Sequence, residues 1–168
     1  RRELRCGEHI LYAYAIDGLT SGSTISDFVL KPLSALRADT VEGLRKKALE
    51  GQVYNVVAVP CDDLNTAATH LVNGFCVVLF PGSGAVSFEA KTGQTRGLSA
   101  PQVENTVKGP KDAFVETIRS NTSLIRRHLR TPELEIYETK VGKRSLTNVA
   151  VVSIRGLTNP SYVQRLIE

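Results

Sequence analysis

V-K-G-P-K-D-A-F-V-E-T-I-R-S-N-T-S-L-I-R-R-H-L-R, residues 107–130, is the longest segment of the chain with one clear period and with start and stop signals at its ends. Phe114, Ile118, Thr122, Ile125 and Leu129 recur at helical spacing and make one apolar stripe. Asp112, Glu116, Arg119, Ser123, Arg126 and Arg130 fall opposite. Gly109-Pro110 suits a helix start, because proline at the first helical position gives up no hydrogen bond the helix needs. Acids lead and arginines close, the order favoured by the helix dipole. Pro132 stops the run. The spacing predicts an amphipathic helix over 110–130 with a solvent-facing row of charge.

Working upstream, Ile10 to Ile16 is apolar nearly throughout, the pattern of a strand covered on both faces. Asp17-Gly18 breaks it, and residues 20–24 offer N-cap hydroxyls for a helix over 25–36, with Pro32 placed to bend it. A second helix is expected over 41–50, closed by Gly51. A buried strand follows over 53–59. Asp62 then caps a helix through Val72 whose inner face is Leu64, Ala67, Ala68 and Leu71. Residues 75–80 and 85–90 read as a hairpin around Pro81-Gly82-Ser83-Gly84. Residues 91–109 read as an extended crossing. Downstream of Pro132, strands are expected over 134–141 and 147–154, then a helix from Asn159-Pro160. The expected class is α/β (mixed α+β), with two small subdomains, 1–98 and 99–168, each a mixed β-sheet flanked by helices.

With 168 residues, 42% hydrophobic and 23% charged, the chain can bury a core without staples. A net charge of +4 is mildly basic, too little for a dedicated nucleic-acid binder. Cys6, Cys61 and Cys76 are scattered without metal-type spacing, as expected of free thiols. No run is long enough for a membrane helix. Arg1 opens the chain without a signal-peptide pattern, so a soluble piece of something longer is expected.

Few constellations carry chemistry. Gly82-Ser83-Gly84 contains G-x-G, but strand-like residues follow it, where a phosphate loop needs a helix. Cys6-x-x-His9 alone falls short of a zinc site. No nucleophile elbow, H-E-x-x-H or Walker loop is present, so no catalytic or metal set and no cofactor are expected. Arg119, Arg126, Arg127 and Arg130 lack interleaved aromatics and share their face with acids, which favours a solvated or protein-docking face over nucleic acid. One internal echo stands out. Ile16-Asp17-Gly18-Leu19-Thr20 and Ile154-Arg155-Gly156-Leu157-Thr158 share I-x-G-L-T, each after a strand and before a polar cap. They predict two similar strand–turn–helix units. Asp17, Gly18, Thr20, Arg155, Gly156 and Thr158 stand at strand ends where α/β folds bind ligands, although turns and caps require the same residues.

G-P-K-D-A-F-V-E, followed by N-T-S-L-I-R-R, resembles the signature of the A subunit of GerA-type spore germinant receptors, which runs roughly R-G-P-R-x-G-F-x-E and then N-x-x-L-I-R-R. The likeness extends from about Leu71 to Leu166. It takes in Arg96-x-Leu98-x-x-Pro101, Glu104, Gly109, Pro110, Phe114, Glu116, Asn121, Leu124 to Arg127, Gly142-Lys143-Arg144-Ser145 and Gly156. Ala100, Ala113 and His128 depart from the family's usual residues. The resemblance implies a non-enzymatic domain of a receptor that senses nutrients in dormant Bacillus-type spores. The A subunit of that family is a channel-forming component of the spore inner membrane. The domain would lie on its core-facing side and help assemble or gate a complex with a transporter-like B subunit, a lipoprotein C subunit and further A subunits. Its expected contact residues are Arg96, Pro101, Glu104, Lys108, Glu116, Arg119, Asn121, Arg126, Arg127 and Arg130. A small-molecule (germinant) binding domain, resembling a two-lobed substrate-binding protein, is the alternative.

Overall fold

The structure is a computed structural model that describes residues 1–53, 57–92 and 113–168. The chain divides into two compact units, Arg1–Gly93 and Gln94–Glu168. The expected boundary at 98/99 lies outside the described residues, as does the crossing from 93 to 109.

In the first unit, strands β1 (Arg2–Cys6), β2 (His9–Tyr14), β3 (Ala58–Cys61), β4 (Phe75–Phe80) and β5 (Gly84–Glu89) form one five-stranded sheet, ordered β1-β2-β4-β5-β3. Helices and sheets combine as the α/β class requires, but each ladder is antiparallel, which corrects the expectation of mixed sheets. The reason is connectivity. Short hairpins join β1 to β2 and β4 to β5, and a hairpin can only return antiparallel. Gly82 and Gly84, at φ +76° and +95°, turn the second of these, and Ser83 N–H closes it on Phe80 O at 2.9 Å. It is a hairpin turn.

The core lies on one face of this sheet. Leu11, Cys76, Val78, Phe80, Val86 and Phe88 meet Val29, Leu33, Leu44 and Ala48 from the helices. Those helices are α1 (Gly22–Thr24), a π-helical stretch over Ile25–Leu30, α2 (Lys31–Ala35) and α3 (Val41–Leu49). Pro32 neither ends nor breaks the run. The turn before it widens so that Lys31 N–H bonds Ser26 O, which makes room for a ring that has no N–H to give. α4 (Leu64–Val72) packs Ala67 and Leu71 on the opposite face, against Cys61, Val77 and Ala85.

Three expectations need correction here. β2 alternates buried residues with half-buried ones, and Ile10 is exposed, so it is not fully covered on both faces. Asp63 caps α4, accepting from Thr66 N–H at 2.8 Å, while Asp62 pairs with Arg45. Leu64 is then 88% exposed and is no part of the inner face. The strand expected over 53–59 begins at Ala58, with 54–56 outside the described residues.

The second unit holds α5 (Ile118–His128), the hairpin β6 (Leu134–Val141) with β7 (Thr147–Ile154), and α6 (Pro160–Ile167). Both helices lie against β7. Asn159 caps α6, and Pro160 opens it as the sequence predicts.

All three cysteines are free and buried. Burial pushes the Cys76 thiol up from 9.0 to about 12 and also raises the Cys6 thiol, the latter against the nearby Arg37 guanidinium. The unfolded chain therefore ionises first as pH rises, so this contribution to stability is intact below about pH 9 and is lost toward about 12. Thermal midpoints should fall more steeply between pH 9 and 12 in the natural chain than in Cys76→Ala, as read by circular dichroism.

Candidate protein-docking surface

α5 is shorter than its periodicity promises. It starts at Ile118, and Ala113 to Thr117 lead in without helix, while 107–112 lie outside the described residues. Asn121 explains the late start. Its amide oxygen accepts from Val115 N–H at 2.8 Å and its amide nitrogen donates to Val115 O at 2.7 Å. Both backbone groups of Val115 are thereby satisfied without helix, so the lead-in stays out of the helix. Phe114 consequently leaves the stripe and stands 66% exposed.

The buried side of α5 also differs from the expected one. Thr122, Ser123 and Leu124 are buried, although the helical period sets Ser123 in the outward row. A serine can be buried there because its hydroxyl donates to Arg119 O at 2.6 Å, as that of Thr122 does at 3.2 Å. Arg126 and Arg127 are half-buried, and Arg127 Nε is buried with no hydrogen-bond partner among the described residues. Arg119, Arg130 and Glu116 remain exposed. Arg130 donates back to Arg127 O at 3.0 Å and so satisfies the helix end. Phe114, Leu124, Ile125, His128 and Leu129 line an open apolar groove of about 430 Å³. Exposed Arg119 and Arg130 belong to the same segment. Open apolar surface of this kind is the usual make-up of the centre of a protein interface. Arg96, Pro101, Glu104 and Lys108 lie outside the described residues.

The two I-x-G-L-T turns share their geometry as well as their letters. Gly18 and Gly156 both hold φ +82°, a conformation only glycine adopts freely. Ile16 O accepts from Leu19 N–H at 3.2 Å and Thr20 N–H at 3.3 Å, and Ile154 O accepts from Leu157 N–H at 3.1 Å and Thr158 N–H at 2.9 Å. Ser21 and Asn159 then cap the helices that follow. Asp17, Gly18 and Thr20 are thus brought together in one unit and Arg155, Gly156 and Thr158 in the other. Asp17 and Thr20 border a cleft of about 290 Å³ with Arg2, Tyr14, Ile25 and Cys76.

The described residues hold one arrangement with a catalytic look. His70 Nδ1 and Ser87 Oγ are 2.8 Å apart, and the imidazole stacks on Phe75 with ring centres 5.0 Å apart. Ser87, however, is fully buried beneath α4, where no substrate carbonyl reaches it. The pair ties helix to sheet. No group of three or more metal-ligating side chains occurs among the described residues, and no helix there is long and apolar enough to cross a membrane.

Comparison with known proteins places this geometry. The family model of the Bacillus/Clostridium GerA spore germination protein matches residues 1–168. The chain belongs to that family. Among its GerA relatives, Spore germination protein B1 of Bacillus subtilis is 31% identical over 88% of this chain and 30% of its own length. Spore germination protein A1 of the same organism is 28% identical over 94% of this chain and 32% of its own length. The chain therefore spans about a third of the length of such relatives. The crystal structure of the N-terminal domain of the A subunit of the Bacillus megaterium spore germinant receptor GerK3 has the same fold, with a TM-score of 0.70 at 22% identity. The match covers 99% of this chain and 61% of that one.

Within the GerA-type signature, Asn121 thus has a structural task that the helical period could not disclose, since period reports faces and not backbone partners. Asn121→Ala should cost roughly 1–2 kcal/mol, the net worth of two half-buried hydrogen bonds. Urea unfolding of the variant would check this, with faster amide exchange at Val115.

Proposed function

We propose that this chain is a soluble N-terminal domain of a germinant receptor A subunit, one that acts in spore germination by holding the receptor complex together or gating it. The observation that carries the reading is the α5 surface, an apolar groove opened by Phe114 and Leu129 on a segment that also carries exposed Glu116, Arg119 and Arg130. Its occupant is another receptor subunit, the transporter-like, the lipoprotein or a further A subunit. The domain works by contact rather than turnover, on the core-facing side of the spore inner membrane. Supporting this are the family itself and the likeness to the GerK3 A-subunit domain.

Leu129→Asp combined with Phe114→Asp should leave the fold intact, because both side chains are exposed. In spores it should cut receptor assembly, read by co-purification of the other subunits, and slow nutrient-triggered germination at least about tenfold, the effect of losing ~1.4 kcal/mol of contact. Normal assembly and germination would sink the proposal.

The cleft beside Asp17 and Thr20 supports a second reading, a small-molecule germinant site at a strand end. Amide shifts in residues 17–24 that saturate with an amino acid, sugar or salt would establish it. A silent spectrum from folded protein would leave the docking role alone.

A further inference from the structure

The β6–β7 hairpin closes through Val141-Gly142-Lys143-Arg144-Ser145-Leu146-Thr147, and every residue from Lys140 to Val149 is exposed. Lys140, Lys143 and Arg144 bring three cations to this tip, while no Asp or Glu occurs between Glu138 and the end of β7. None of the three has an ion pair or a hydrogen bond among the described residues. Flanking them in sequence, Val141 and Leu146 are 54% and 57% exposed.

The backbone of the tip is equally distinctive. Gly142 holds φ +90°, and a Cβ there would meet Ser145 Oγ at 2.5 Å, so the loop closes tightly on itself. Leu146 holds φ +46°, and it is the one non-glycine at positive φ among the described residues. That conformation disfavours a side chain with a Cβ, whereas glycine or asparagine adopts it with little or no penalty. A turn that faced only water would gain nothing from leucine there. Its retention points to a gain made outside the turn.

We propose that the tip of the β6–β7 hairpin rests on an anionic phospholipid surface. Lys140, Lys143 and Arg144 take the lipid phosphates, and Val141 and Leu146 meet the boundary of the acyl chains. Ammonium and guanidinium groups both suit phosphate oxygens, the guanidinium as a two-pronged donor. A protein occupant would need an acidic hollow shaped to a tight convex turn. A bilayer offers phosphates wherever the turn lands, with hydrocarbon just beneath, and long basic side chains beside aliphatic ones suit that boundary. Each cation near such a surface strengthens attachment about fivefold, so three give on the order of a hundredfold. The contact is therefore reversible and serves to orient the second unit. It goes beyond the docking role proposed above and shares no residue with the α5 groove, so either can fail alone.

Co-sedimentation of the 168-residue chain with phosphatidylcholine vesicles, with and without about 30% phosphatidylglycerol, tests this. Binding is expected to the anionic vesicles alone and to weaken as salt rises from about 50 to 500 mM. Lys143→Glu with Arg144→Glu should lower the partition at least about tenfold. Arg5→Glu with Arg165→Glu changes the net charge equally at exposed positions away from the tip, and should lower it no more than about twofold. Leu146→Asn, which suits the backbone, should weaken binding about threefold without lowering the thermal midpoint. Equal loss in the two charge-reversed variants would reduce the effect to net charge and overturn the proposal, as would equal binding to neutral vesicles. Absence of vesicle binding, with receptor subunits lost from the Lys143→Glu, Arg144→Glu protein on co-purification, would assign the tip to an acidic protein and equally refute the lipid contact.

Discussion

The first unit depends on one constraint, the burial of the β4–β5 hairpin on both faces. Cys76, Val78, Phe80, Val86 and Phe88 fill the main core, while Val77 and Ala85 meet α4 on the other side. A strand buried on both faces must give every backbone group to a neighbour, since water is not at hand. β2 and β3 serve that need on either flank. Ser87 is the one polar side chain buried in this hairpin, and His70 answers it from α4. Orientation of α4 is therefore fixed by a hydrogen bond as well as by packing.

This explains which parts of the fold were legible in the sequence. The β4–β5 hairpin was plain because burial on both faces gives a continuous apolar run, and the Pro-Gly-Ser-Gly turn marks its reversal. β6, β7, α3 and α6 were equally readable, each from periodicity with a cap or a glycine stop. Where two forces share a residue, the letters are ambiguous. Asp62 and Asp63 are both chemically able to cap α4, and only the tertiary pairing of Asp62 with Arg45 decides between them. Pro32 carries no sign that the preceding turn can widen to accept it.

The candidate site was legible in kind and less so in detail. Amphipathicity identified α5 as a helix with one charged side, but the period cannot tell a buried hydroxyl from a solvated one. Ser123 counts as polar until its bond to Arg119 O is seen, after which it behaves as a small core residue. Asn121 works the same way, spending its whole amide on Val115. What remains at the surface is Phe114 and Leu129 together with Glu116, Arg119 and Arg130. That composition, apolar side chains with charges of both signs, suits a protein partner.

The two glycine turns show why an internal repeat is more informative when its halves differ. A left-handed glycine and a paired carbonyl recur at Gly18 and Gly156, so the local geometry is set by the turn itself and does not need the surrounding sheet. Side-chain cover, by contrast, is supplied from elsewhere in the chain. Burying a leucine is worth about 1.5–3 kcal/mol, and Leu19 realises that gain where Leu157 does not. An apolar residue at Leu157 is of no use to a turn, for which glycine and the capping hydroxyl suffice.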